Sequence, residues 1–224
     1  SYDGDGFSLS DGQQNDSGLL PAGSYSVAET LPAGWAQNAA TCDDGSSPAA
    51  IDLDPGETVT CTFENARLGL GLTLTPTPAT VTAPGGDVSF AVAVSNSGSA
   101  ALNLTSLSDS VYGNVADAGN AALVSTTCNL PQTLAVGAGY SCAYTARVNG
   151  AAGNTRQNTL TAAAAGPGGV PVNAAAVATV SVVTPPPGRI IVVKQTNPAN
   201  TPGAFLFSAS YDGDGFSLSH GQSN

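Results

Sequence analysis

The sequence predicts an all-β protein made of small sandwich modules, and three observations predict it. Short runs rich in Val, Thr, Ala and Leu are punctuated by 27 Gly and 15 Pro, and no window sustains an apolar period of 3.6. Four cysteines fall into two locally spaced pairs, Cys42 with Cys61 and Cys128 with Cys142. The decapeptide SYDGDGFSLS at residues 1–10 recurs at residues 210–219, a spacing of 209 positions.

The repeat organises the rest of the reading. The match continues as DGQQN at 11–15 against HGQSN at 220–224, with drift at Asp11/His220 and Gln14/Ser223. These are diverged tandem copies, and such a repeat decides architecture before any single element does. Residues 189–209 supply what should precede the segment beginning at Ser1, so the two ends read as complementary parts of one small β domain. Its expected strands are 189–196, 204–209, 7–10, 24–30, 36–42, 49–53 and 58–65. Leu-Pro-Ala-Gly at 20–23 and 31–34 and Asp-Pro-Gly at 54–56 are turns, because Pro presets φ and Gly accepts positive φ. Between the ends, residues 70–183 carry alternating runs at 87–95, 139–148, 159–165 and 174–183, separated by Gly, Pro, Asn and Ser clusters, which read as an immunoglobulin-like sandwich. The expected divisions are 1–67, 68–184 and 185–224. TPPPG at 184–188 should be extended and semi-rigid, and TPTPA at 75–79 belongs to the entry of the middle module.

Composition bounds the class of function. With 42% apolar and 9% charged residues, the chain can bury cores, but its polar surface must come from Ser, Thr, Asn and Gln, as in an adhesin or a stalk. A net charge of -11, from 16 acidic and 5 basic residues, repels phosphate backbones and anionic headgroups. Nucleic acid and membrane surfaces are therefore not expected partners. Pairing of the cysteines within each module is expected; neither pair has CxxC spacing and the single histidine, His220, is remote from both, which argues against zinc. Disulfides imply an oxidising compartment and hence secretion. No signal peptide and no apolar run long enough to span a bilayer are visible.

Catalytic constellations are sparse, so no enzyme and no cofactor is expected. A hydrolase triad lacks a candidate base, since His220 is replaced by Asp11 in the other copy. Glycoside chemistry would have to draw on Glu29, Glu57 and Glu64, and no Gly-rich phosphate loop opens a helix. Asp3-Gly4-Asp5-Gly6, repeated at 212–215, and Asp43-Asp44-Gly45 could begin calcium loops, but Gly-rich turns account for them equally and the EF-hand spacing is missing. Trp35 reads as a core or module-interface aromatic before it reads as a sugar platform.

Three stretches, IIVVKQT (190–196), GSYSVAETLPAGW (23–35) and VTCTFENA (59–66), resemble the prealbumin-like, collagen-adhesin B-type repeat of Gram-positive pilins, adhesins and large surface proteins. In many members of that family a first-strand lysine forms an intramolecular isopeptide bond to an asparagine near the end of the last strand, helped by a buried acid. The resemblance places these roles on Lys194, Asn65 and Glu29. The chemistry needs those types because a desolvated ammonium loses its charge and becomes a nucleophile, while a carboxylic acid polarises the amide and shuttles protons. Lys194 is also the only lysine in the sequence and follows the apolar run 190–193. An edge-strand lysine that discourages aggregation is the alternative reading.

The middle segment resembles the immunoglobulin-like repeat of very long bacterial surface proteins through TTCNLPQTLAVGAGYSCAYTARV (126–148), NTLTA (158–162) and DSVYGNV (109–115). Together the resemblances imply a structural unit of an extracellular fibre or cell-surface stalk whose partners are neighbouring copies, head to tail. An adhesin module and separate pilin-like subunits joined by strand complementation are the alternatives. The second is opposed by the duplicated decapeptide, since both copies would compete for one strand position. One Trp and four Arg, not clustered in the sequence, offer little for an adhesive patch.

Overall fold

The computed structural model describes residues 6–197, 199, 202–219 and 221–223, so Asp3, Asp5 and His220 lie outside the described residues. The chain is all-β and folds as two compact units, Ser1–Thr184 and Pro185–Asn224.

The first unit begins with four strands: β1 (Gly23–Tyr25), β2 (Trp35–Cys42), β3 (Ile51–Leu53) and β4 (Cys61–Arg67). They form two separate two-stranded antiparallel sheets, β1 with β3 and β2 with β4. The expected strand at 7–10 does not form, and 24–30 shortens to β1. A lone two-stranded pair buries too little apolar surface to hold itself together in water.

Twelve further strands follow, ten of them in this unit: β5 (Leu70–Thr77), β6 (Thr80–Thr82), β7 (Gly85–Asn96), β8 (Leu102–Asp109), β9 (Gly113–Asn114), β10 (Leu123–Thr126), β11 (Gln132–Leu134), β12 (Gly139–Asn149), β13 (Thr155–Ala165) and β14 (Pro171–Val183). One sheet runs β10-β12-β7-β5; the other runs β11-β8-β13-β14-β6, with β9 beside β8. The first three residues of TPTPA end β5, the strand by which the chain enters the sandwich. Burial follows the two-residue period that faces one side of each strand to the core. On β7 the inward set is Val88, Phe90, Val92, Val94 and Asn96, and on β13 it is Asn158, Leu160, Ala162 and Ala164. Phe90 stacks on Tyr144 with ring centroids 5.0 Å apart, and Leu102, Leu104, Leu107 and Val180 face them from the second sheet.

The joint between β4 and β5 is only two residues long and is tied on both sides. Leu68 N donates to Gly34 O at 2.8 Å, Ser97 N to Gly69 O at 3.0 Å, Ser99 N to Arg67 O at 2.8 Å, and Arg67 N to Ser99 Oγ at 2.9 Å. Buried Asn96 fixes the 97–99 loop by donating to Ala100 O and Leu134 O and accepting from Gly98 N. Leu68 and Ala36 join the sandwich core, so the segment ending at Arg67 is packed against the sandwich. A Cβ on Gly98 would lie 2.5 Å from Arg67 O and 2.8 Å from Gly69 N, both backbone atoms that cannot swing aside. Gly98→Ala is expected to cost about 1–3 kcal/mol, as overpacking does. The readout is the urea midpoint together with Trp35 fluorescence, since Trp35 pairs with Arg67 across β2 and β4. An unchanged midpoint and spectrum would show that the joint is loose.

The second unit holds β15 (Phe205–Ala209) and β16 (Asp212–Leu218), an antiparallel hairpin with Phe207 stacked on Phe216 at 5.4 Å. The expected strand at 189–196 is reduced to a single bridge, Val193 with Ser223. A hairpin without an opposing sheet gives that segment nothing to pair along.

Candidate cross-link site

Asn65 sits on β4 opposite Gln37, on the same half-buried face as Cys61 and Phe63. A register shift between Gln37 and Ala39 releases Asn38, whose Nδ2 reaches Glu64 at 2.9 Å on the outer side. The chain before β2 brings Glu29 to the inner side, where Asn65 Nδ2 donates to Glu29 Oε1 at 2.6 Å. Asn65 Oδ1 is buried and has no hydrogen-bond partner, the one such side-chain atom among the described residues. An orphaned buried carbonyl costs about 1–3 kcal/mol and in a folded protein calls for an explanation. Here the amide is polarised at its nitrogen end by a carboxylate, and its carbonyl faces a place where no donor stands.

Lys194 belongs to the second unit. Its Nζ lies 4.1 Å from the centre of the Phe205 ring and donates to Gln195 O, while its backbone exchanges hydrogen bonds with Gln222 O (3.3 Å) and Gly221 N (3.0 Å). Glu29 is exposed and Lys194 half-buried, each beside a two-stranded sheet. The structure thus brings together Glu29 and Asn65 of the three expected residues.

Both disulfides are present. Cys42–Cys61 joins directly opposed residues of β2 and β4, and Cys128–Cys142 ties the segment after β10 to β12. The aspartates after Cys42 serve turns: Asp43 Oδ1 accepts from Thr60 N at 2.8 Å, and Asp44 Oδ1 from Ser46 N and Oγ. Among the described residues, no group of three or more His, Cys, Asp or Glu is placed to hold a metal ion. Arg147 and Arg156, not clustered in the sequence, line one cleft of about 350 Å³ with Tyr112. Arg147 is paired with Asp87 at 3.1 Å and Arg156 Nε donates to Asn149 O, so both are engaged within the module.

A polar cluster in the sandwich core went unread in the sequence. Asp109, Tyr144 and Asn158 are all buried. Asp109 Oδ1 accepts from Val111 N (2.8 Å) and Tyr112 N (3.1 Å), and Oδ2 from Tyr144 Oη (2.7 Å) and from Asn158 Nδ2. Burial first, then the hydrogen bond to Asp109, pushes the Tyr144 phenol far above its ordinary value. Tyr112 is raised for the same first reason, with the Asp109 charge adding to it. The signal was parity: Asn158 occupies the inward position of the series Leu160, Ala162, Ala164, where a polar residue must bring its own partners. This cluster pins the turn after β8 to β12 and β13.

Residues 5–67 match the family model of the prealbumin-like fold domain of the SpaA type, a span that holds Glu29, Asn65 and the Cys42–Cys61 disulfide. No curated protein matches the chain.

Proposed function

We propose that the chain is a structural repeat unit of an extracellular fibre or cell-surface stalk, in which Lys194 is joined covalently to Asn65 of the next repeat. The Asn65 amide carries this reading, with its nitrogen on Glu29 and its carbonyl oxygen buried and unpaired. In the reaction, Glu29 takes a proton from the Lys194 ammonium, and the freed amine attacks Asn65 Cγ. Glu29 then returns the proton to Nδ2, already within hydrogen-bond distance, and the Cγ–Nδ2 bond breaks. One amide is exchanged for another, and ammonia leaves with the displaced proton. The product closes the prealbumin-like domain between its first and last strands, so tension along the fibre passes through covalent bonds instead of unzipping a ladder.

The tight joint at Arg67–Gly69 and the paired cysteines suit the same load-bearing role, as does the extracellular setting that the SpaA-type likeness suggests. The partners are further copies of this repeat, with no external substrate. The test is the intact mass of a polypeptide carrying two repeats in series that share the decapeptide once. It should be lighter by one ammonia, while Lys194→Arg and Glu29→Ala forms should keep the full mass. A wild-type product of unmodified mass would refute the bond, and loss of ammonia from the Glu29→Ala form would refute the role of Glu29.

A further inference from the structure

β14 is the longest strand of the sandwich, and most of one of its edges has no neighbour. β13 pairs with it from Pro171 to Ser181 without a bulge, whereas on the other side β6 covers only Ser181–Val183. Hydrogen bonds at both ends of the strand fix which groups face which way. Val182 N donates to Asn154 O at 2.8 Å and Val170 O accepts from Gly166 N at 2.9 Å, both on the β13 side, while Ser181 N donates to Ala79 O at 3.0 Å on the β6 side. Alternation then turns the N–H groups of Asn173, Ala175, Val177 and Thr179, and the carbonyls of Pro171, Asn173, Ala175 and Val177, away from β13. Among the described residues no strand stands opposite them. β5 packs beside β14 from the other sheet but pairs along β7 alone. The inward side chains mark the same gap: Ala178, Val180 and Val182 are buried, whereas Val172, Ala174 and Ala176 are only half-buried.

Other edges of the sandwich are short or interrupted, a common protection against pairing with another chain. β6 and β11 have three residues each and β10 has four, and β5 carries Pro76. β14 has no such device after Pro171: residues 172–183 hold no charge and no proline, and the pairing shows no bulge. We propose that this edge is an interaction surface for the same edge of a second copy of the chain, the two β14 strands pairing antiparallel about a two-fold axis. Two observations choose a second copy. A net charge of -11 makes copies repel one another, yet residues 171–183 are uncharged and can meet without that penalty. The edge is also complementary to itself. With Ala175 opposite its own counterpart, Asn173 faces Val177 and Pro171 faces Thr179, so each of the outward N–H groups of Asn173, Ala175, Val177 and Thr179 meets a carbonyl. Pro171, which has no N–H, ends the ladder just short of β6. A register two residues further on would set Pro171 against Ser181, which is already paired with Thr80. Val177, 54% exposed, gains a cross-strand neighbour in this arrangement. The result is a closed, isologous pair, the commonest form of association between identical chains. It needs neither Lys194 nor Asn65.

The test is sedimentation velocity of the full chain over a range of concentrations, with amide hydrogen exchange read residue by residue. Wild type should pass from monomer to dimer as concentration rises. The amides of Asn173, Ala175, Val177 and Thr179 should gain protection in step, while those of Ala174 and Ala176, which face β13, should be protected throughout. Ala175→Lys and Ala175→Asp each set like charges across the two-fold axis, so either variant alone should lose both the dimer and the added protection. An equimolar mixture of the two should regain both. Ala175 is exposed, so each variant should keep the circular dichroism melt of the wild-type monomer. Wild type that stays monomeric, a dimer whose newly protected amides lie on another strand, variants that dimerise like wild type, or a mixture that stays monomeric would overturn the proposal.

Discussion

Asp109→Ala will lower the stability of the sandwich by about 1–3 kcal/mol for each donor left buried and unsatisfied. Four donors converge on this carboxylate from the turn at Val111 and Tyr112, from β12 through Tyr144, and from β13 through Asn158. Alanine removes the acceptor but leaves Tyr144 Oη and Asn158 Nδ2 buried without it. Asp109→Asn should lose nearly as much, because an amide nitrogen in the Oδ2 position would face Asn158 Nδ2, another donor. The measurement is the urea midpoint by far-ultraviolet circular dichroism, and a shift below a quarter of that expected would show that the donors find other partners.

The same cluster sets an alkaline limit. The Tyr144 phenol is held protonated in the fold, whereas in the unfolded chain it ionises near 10.0. Its contribution is fully present below that pH. Above it, unfolding releases a proton, and stability falls by about 1.4 kcal/mol per pH unit. Tyr144→Phe should remove one such increment of slope, so the gap between wild type and variant should narrow as pH rises.

Removal of the Cys128–Cys142 bond by paired Cys→Ala substitution should destabilise the sandwich by about 3 kcal/mol, the chain-entropy value for a loop of this length. The bond closes a 14-residue separation between the segment after β10 and β12, at the edge of the four-stranded sheet. Unfolding should begin there in the variant, which hydrogen exchange on β10 and β12 would detect. Equal exchange in both proteins would mean that the ladder alone holds this edge. The pair Cys42–Cys61 is expected to matter more to its surroundings, because the β2–β4 pair it clamps has no wider sheet around it.

Several features were determined by the sequence alone because their causes are local. The Gly and Pro punctuation and the two-residue period specified an all-β chain, and the core runs at 87–95, 139–148, 159–165 and 174–183 all lie in strands. Both cysteine pairs followed from short spacing. The turns at Ser10 and Ser219 came out alike because Gly and Gln at fixed offsets dictate them. Tertiary structure decided whatever depends on a distant neighbour. Residues 7–10 and 189–196 have strand-like sequences and form no strand, since a ladder needs a partner and propensity cannot supply one. The family resemblance names both Glu29 and Asn65, 36 positions apart, and the fold supplies the hydrogen bond between them. Asp109, Tyr144 and Asn158 lie on three strands brought together by the sandwich, so only parity hinted at them and only the fold joined them. Desolvation of Glu29 and Lys194 is likewise a matter of tertiary structure, because it is a property of a completed layer and each stands beside a two-stranded piece.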